Sequence, residues 1–241
     1  MQWMRNFMVA STVLLAVACG QTGFAQMRVR EPGMYNQTLR LQDGITVGYA
    51  ISIPKNYSPS NPVPLVLALH FGGRPNGAGQ QLLGILVGPA FEGLGAIIVA
   101  PDSIGGGWET PANDRAVVAL LDAVQAAYRI DPKRIAVTGF SMGGAGTWHF
   151  AGKYPERFSA AVPVSGRPPE SLGAWRTPVF AIHSRQDEVV PIGPASARIK
   201  ELQKTGVRAE FLELTGISHH ETYRFVDGLR RAVPWLKETW K

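Results

Sequence analysis

Cysteine is nearly absent. Cys19 is the single one among 241 residues, and a chain processed after Ala25 would keep none, so stability must come from a buried core rather than a disulfide. Histidine is scarce as well. The five present show no compact His-x-x-x-His spacing with a glutamate between, which argues against a bound metal. Charged residues make up only 17% of the chain, with 24 Lys and Arg against 18 Asp and Glu. No dense basic run is interleaved with aromatics, so nucleic acid is not an expected partner, and the net charge of +6 reads as an ordinary solvated surface. The one long apolar stretch, residues 7–18, is too short and too lightly flanked for a stable transmembrane span.

That stretch instead forms the centre of an export leader. Residues 1–5 carry one basic side chain, and Gly23-Phe24-Ala25 supplies the small residues that a signal peptidase reads before Gln26. Residues 1–25 are therefore expected to be a signal peptide and residues 26–241 a single domain in a secreted or periplasmic protein. A rival processing site exists at Cys19, where Leu15-Ala16-Val17-Ala18-Cys19 resembles a lipoprotein signal and implies lipid anchoring. With 45% hydrophobic residues, the remainder suits one globular domain with a sizeable core.

Strand and helix patterns alternate along that domain. Residues 38–41 and 45–53 read as a hairpin around Asp43-Gly44. Residues 64–69 form a continuous apolar run, as in a parallel strand buried on both faces, and further strands are expected at 96–100, 158–164, 178–183 and 208–214. Helices are expected at 78–93 (interrupted by Pro89), at 113–128 and at 195–204, with an amphipathic segment at 223–240. Asp114, in a first helical turn, reads as helix-terminus electrostatics rather than chemistry.

The chemical signal is Gly139-Phe140-Ser141-Met142-Gly143, between a β-branched run and a helical opening. Glycines around a serine remove the Cβ atoms that would collide where a strand turns directly into a helix, so Ser141 Oγ is held above the sheet. The next N–H, that of Met142, lies at a helix N-terminus where it can stabilise an oxyanion.

This elbow, with Leu69-His70-Phe71-Gly72-Gly73 upstream and Asp187 then His219 or His220 downstream, resembles the α/β-hydrolase superfamily. Within it the chain is most similar to small secreted carboxylic-ester hydrolases of the feruloyl esterase, polyester depolymerase and dienelactone hydrolase kind. Asp131-Pro132-Lys133-Arg134-Ile135 is particularly like the first two, and the resemblance covers about residues 38–238. It implies an α/β fold with a mostly parallel central sheet flanked by helices. A large lid is not expected, because few positions separate Ser141 from Asp187. The resemblance makes Ser141 the nucleophile and Asp187, rather than Glu188, the acid. It makes His219 the base on a Gly-x-x-His spacing, with His220 as the alternative. It assigns the second oxyanion donor to Gly72, with Phe71 as the alternative because Phe71 stands where the family usually has glycine. Trp108, on the glycine-rich turn after the strand at 96–100, either lines the substrate pocket or covers an edge of the core.

These residues imply hydrolysis of a small-molecule or polymeric carboxylic ester through an acyl-enzyme, with no cofactor. Feruloyl, acetyl and polyester substrates all remain open. A serine peptidase on the same fold and a noncatalytic carbohydrate- or partner-binding module are the alternatives; the first commonly carries a gating domain, and the second would show a disrupted triad. Intact-mass analysis of exported protein should show loss of residues 1–25, and lipid on Cys19 or retention of Met1 would overturn the leader reading.

Overall fold

The computed structural model describes Met27, residues 29–171 and residues 173–241. The leader, with Cys19 and the junction before Gln26, lies outside the described residues. Inside–outside alternation builds β1 (Gly33–Arg40), which pairs antiparallel with β2 (Thr46–Ile53) so that Arg40 faces Thr46 across the turn. Asp43 shapes that turn by accepting the Ile45 N–H. The apolar runs become β3 (Val63–Leu69) and β4 (Ile97–Pro101), followed by β5 (Ile130–Phe140), β6 (Ala160–Val164), β7 (Val179–Ser184) and β8 (Ala209–Leu214). Every residue of β3, β4, β6 and β7 is buried, as a strand covered by helices on both faces must be.

The sheet runs β1-β2-β4-β3-β5-β6-β7-β8, antiparallel through β1, β2 and β4 and parallel from β4 onward. Among the described residues seven α-helical segments cover it: α1 (Ala78–Leu82), α2 (Gly88–Phe91), α3 (Pro111–Ala127), α4 (Met142–Lys153), α5 (Ile192–Lys204), α6 (Val226–Arg230) and α7 (Ala232–Thr239). One apolar layer joins the sheet to α3, α4 and α5 through Val117, Leu120, Trp148, Phe150 and Ile199. The opposite layer joins it to α1, α2, α6 and α7 through Leu82, Phe91, Leu229 and Trp235. This is the α/β-hydrolase fold, and among the described residues no large lid is inserted into it.

Two segments differ from their sequence patterns. Residues 78–93 were expected to break at Pro89, yet α1 passes through a π-helical turn (Leu83–Val87) into α2, with Pro89 in the first turn of α2, where a missing N–H is tolerated. The amphipathic segment at 223–240 divides into a 3₁₀ turn (Thr222–Phe225), α6 and α7. Pro234 accounts for the last break: it lacks the N–H that would bond back toward Arg230, and sits instead in the first turn of α7. Asp114 lies in the first turn of α3 as expected and does more there. Its carboxylate accepts from His149 Nε2 (3.1 Å), Lys153 Nζ (2.6 Å) and Tyr154 OH (2.6 Å), tying α3 to α4.

Helix α4 lies so close to the sheet that a methyl group at Gly143 would overlap the Leu69 carbonyl, and one at Gly144 would crowd Val164 and Gly166. Gly143→Ala should therefore destabilise the protein by about 1–3 kcal/mol. Gly84→Ala, where a methyl group meets open space, should be neutral or stabilise by about 0.5–1 kcal/mol. Urea denaturation distinguishes them; equal midpoints for the two variants would show that the helix can back away from the sheet.

Candidate active site

Ser141 joins β5 to α4 with φ 58° and ψ −116°, a backbone region that costs a non-glycine residue about 1–3 kcal/mol. Its N–H donates to Val164 O (3.0 Å), and its carbonyl accepts the first helical bond of α4 from Ala145 (3.0 Å). These contacts hold the strained turn, and the strain lifts Oγ off the carboxyl end of the parallel strands.

The Oγ meets His219 Nε2 at 2.7 Å, and His219 Nδ1 lies 2.8 Å from Asp187 Oδ2. A carboxylate only accepts, so Nδ1 carries the hydrogen and Nε2 is free to accept from the serine. Asp187 is fully covered, and its other oxygen takes the N–H groups of Val189 (3.1 Å) and Val190 (2.7 Å). Burial alone would raise this carboxyl's pKa, but hydrogen bonds from His219, Val190 and Val189 outweigh it and hold the group below the ordinary carboxylate value. His219 also packs at 5.0 Å against Phe140, which in turn contacts Phe71 and Phe225.

The structure brings together Ser141, Asp187 and His219. It leaves His220 outside: that side chain is 79% exposed, and its Nε2 stands 3.9 Å from Glu188. Glu188 is not the acid partner of the imidazole; its Oε2 accepts the His219 backbone N–H at 3.1 Å. Further bonds bind the loop after β7 to the loop after β8, from Ser184 Oγ to Ile217 O (2.6 Å) and from Arg185 N–H to Leu214 O (2.8 Å).

Across the cleft, Met142 opens α4 and the Phe71-Gly72 peptide follows β3. Here buried His70 sets the geometry. Its Nε2 accepts the Ser103 N–H (2.9 Å), so Nδ1 is the protonated nitrogen and donates to Phe71 O (2.6 Å). In a trans peptide the N–H points opposite to the carbonyl. With the Phe71 oxygen drawn to His70, the Gly72 N–H is turned away from it, and Gly72 lines the Ser141 cleft.

Trp108 does not line that cleft. It is 1% exposed, donates Nε1–H to His70 O (2.9 Å) and packs against Gly146, so it supports the floor behind the loop. Its apolar area is better buried there than at a wet opening, and the carbonyl satisfies its N–H. The cleft itself, about 500 Å³, is walled by Phe71, Ile85, Phe140, Val189 and Tyr223. Val189 and Tyr223 are 50% and 63% exposed. Among the described residues no carboxylate, lysine or arginine lines it.

Sequence reasoning missed His70, Phe140 and Tyr223. A signal was available for two of them: His70 closes an otherwise wholly apolar strand, and Phe140 adjoins the elbow serine. Tyr223 gave none, because exposure at a cleft rim arises only from folding.

The family model described as Phospholipase/Carboxylesterase matches residues 108–233. A probable feruloyl esterase C of Aspergillus terreus is 30% identical over 67% of this chain and 63% of its own. A bifunctional acetylxylan esterase/xylanase of Neocallimastix patriciarum is 30% identical over 57% of this chain and 21% of its own. The chain thus spans less than two thirds of these relatives. A solved thermostable esterase superposes with a TM-score of 0.68 over 85% of this chain and 62% of its own, at 24% identity, which speaks to fold alone.

Buried ionisable groups make stability depend on pH with a definite sign. Burial lowers the pKa of His70 and His183 below their ordinary 6.5, so on acidification the unfolded chain takes up protons that the folded chain refuses. Stability is full above about pH 6.5 and falls as pH drops toward the folded values. Asp187 and Asp114, both below their ordinary 3.8, add a second loss at lower pH. Urea midpoints at pH 8 to 5 should decline, less steeply for His70→Asn; a flat parental profile would contradict this.

Proposed function

Since the chain belongs to the phospholipase/carboxylesterase family, we propose that it is a serine esterase acting on carboxylic esters with a bulky, apolar and uncharged acyl group. The observation that carries the proposal is the hydrogen-bonded series Ser141 Oγ, His219 and Asp187 at the carboxyl edge of the sheet.

In this reading His219 Nε2 takes the Ser141 proton as Oγ bonds to the acyl carbon. Asp187 keeps the imidazole in the required tautomer and stabilises the imidazolium that forms. The carbonyl oxygen becomes an oxyanion, held by the Met142 and Gly72 N–H groups. As the tetrahedral intermediate collapses, the bond to the leaving oxygen breaks and His219 returns the proton to the departing alcohol. Water then repeats the sequence on the acyl-enzyme, with His219 as base, and releases the acid and Ser141.

The cleft supports the acyl preference. Its volume of about 500 Å³ leaves an acetyl group loosely held, while an aryl acyl group can lie against Phe71, Ile85 and Tyr223. No lysine or arginine among the described residues lining the cleft offers a charged acyl group an ion-pair partner. Similarity to a protein named a probable feruloyl esterase supports the same direction. Export, with removal of residues 1–25, belongs to this proposal on the strength of the leader pattern.

On a short aryl ester, Ser141→Ala and His219→Ala should each lower kcat/KM by at least about 10⁴-fold, since members of such a unit act together. His220→Ala should stay close to the parent, and a phosphonate should add to Ser141 by mass. Feruloyl esters should be preferred over acetyl and over acyl groups bearing a free carboxylate. Ester turnover by Ser141→Ala at the parental rate, with no adduct on the parent, would end the serine-esterase reading.

A further inference from the structure

His183 is used by none of the steps above, yet it is buried beside Asp187. Its Nε2 lies 2.8 Å from Val190 O and 3.3 Å from Asp187 Oδ2. A carbonyl only accepts, so Nε2 bears the hydrogen and donates it to Val190 O, with Asp187 Oδ2 beside it but outside hydrogen-bond geometry. The segment from His183 to Val190 is thereby closed on itself. Val189 and Val190 return their N–H groups to Asp187 Oδ1, and the Asp187 N–H reaches back to Ser184 O (3.2 Å). The carboxylate is out of water altogether, with two backbone donors on Oδ1, the His219 imidazole bonded to Oδ2 and the His183 ring 3.3 Å from that same oxygen.

We propose that His183 is a positioning residue for the reaction: by tying down Val190 O, its Nε2–H holds the loop whose Val189 and Val190 N–H groups fix the Asp187 carboxylate, and so keeps Asp187 on His219 Nδ1 and His219 Nε2 on Ser141. The proposal rests on the serine-esterase reading. Without this imidazole, Val190 O loses its buried donor, and the loop that presents the Val189 and Val190 N–H groups to Asp187 Oδ1 loses its tether. The role requires a neutral ring, because a positive charge at His183 would compete with His219 for the same carboxylate oxygen. Desolvation disfavours that charge, and the ionisable groups facing the ring are Asp187 on its own loop and His219 from the loop after β8.

The test compares the parent with His183→Leu, His183→Gln and His183→Asn on a short aryl ester, with urea midpoints measured alongside. The Leu substitution removes the donor; kcat should fall by about 10²-fold, the loss expected when a reacting group is displaced by an ångström, with KM little changed. The acid limb of its kcat/KM profile should move to lower pH, because the imidazolium has lost part of its anchored counter-charge. The Gln amide nitrogen can reach the place of Nε2 and should restore both kcat and the acid limb, whereas Asn is too short and should not. If the Leu variant does not fold, the Gln and Asn pair decides by the same readouts. Parental kcat and pH profile in a folded variant lacking the donor would overturn the proposal, as would equal losses in Gln and Asn that simply follow their urea midpoints. A parent that neither hydrolyses the ester nor takes phosphonate on Ser141 overturns the esterase reading, and this inference with it; an active, labelled parent with indifferent variants overturns this inference alone.

Discussion

How closely α4 can approach the ends of β3 and β6 determines the cleft. The approach is set by backbone against backbone, since Gly143 and Gly144 present no side chain to Leu69, Val164 and Gly166. At that separation the chain between β5 and α4 has no room for a relaxed turn, and Ser141 takes a positive φ that the Val164 carbonyl and the first turn of α4 hold in place. The position of Oγ, the direction of the Met142 N–H and the nearness of the loop after β3 are all consequences of this one contact. Apolar burial on the two faces of the sheet supplies the free energy that sustains the strain.

A second constraint acts on polar groups. The carboxyl edge of the sheet buries His70, His183, Ser184 and His219, each of which would be costly there without a partner. Each has one: Phe71 O and Ser103 N–H for His70, Val190 O for His183, Ile217 O for Ser184, Ser141 and Asp187 for His219. Satisfying these groups and orienting the cleft are the same act, because the bonds that remove an unpaired donor also fix a peptide plane or a ring.

The fold was legible where periodicity is strong. Runs such as residues 64–69 and 96–100 read as buried strands, and the glycines around Ser141 point to a strand turning directly into a helix. Residues 78–94 were harder to read because a π turn is a product of packing, with no period of its own to display. Ser141, Asp187 and His219 could be named because their loops follow apolar strands in a recognisable order. The choice between His219 and His220 depended on which of two adjacent side chains turns inward, and Phe140, the surface that receives the ring, lies 79 positions earlier in the chain. Trp108 could be read either way: an aromatic residue in a glycine-rich loop suits a pocket wall or a core edge, and the choice depends on a carbonyl 38 residues away that accepts its N–H.

The imidazole that contacts Ser141 arrives from the far side of the sheet. His219 hangs from the loop after β8, an edge strand that among the described residues pairs with β7 alone, while Ser141 sits at the end of the central strand β5. Outer strands open more readily than central ones, because fewer bonds and less apolar area hold them. Ser141 and His219 therefore belong to regions of unequal local stability. A fluctuation that peels β8 from the sheet parts the two residues while the elbow stays folded, so the persistence of the Ser141–His219 contact is set by the local opening free energy of an edge, a smaller quantity than the stability of the whole domain.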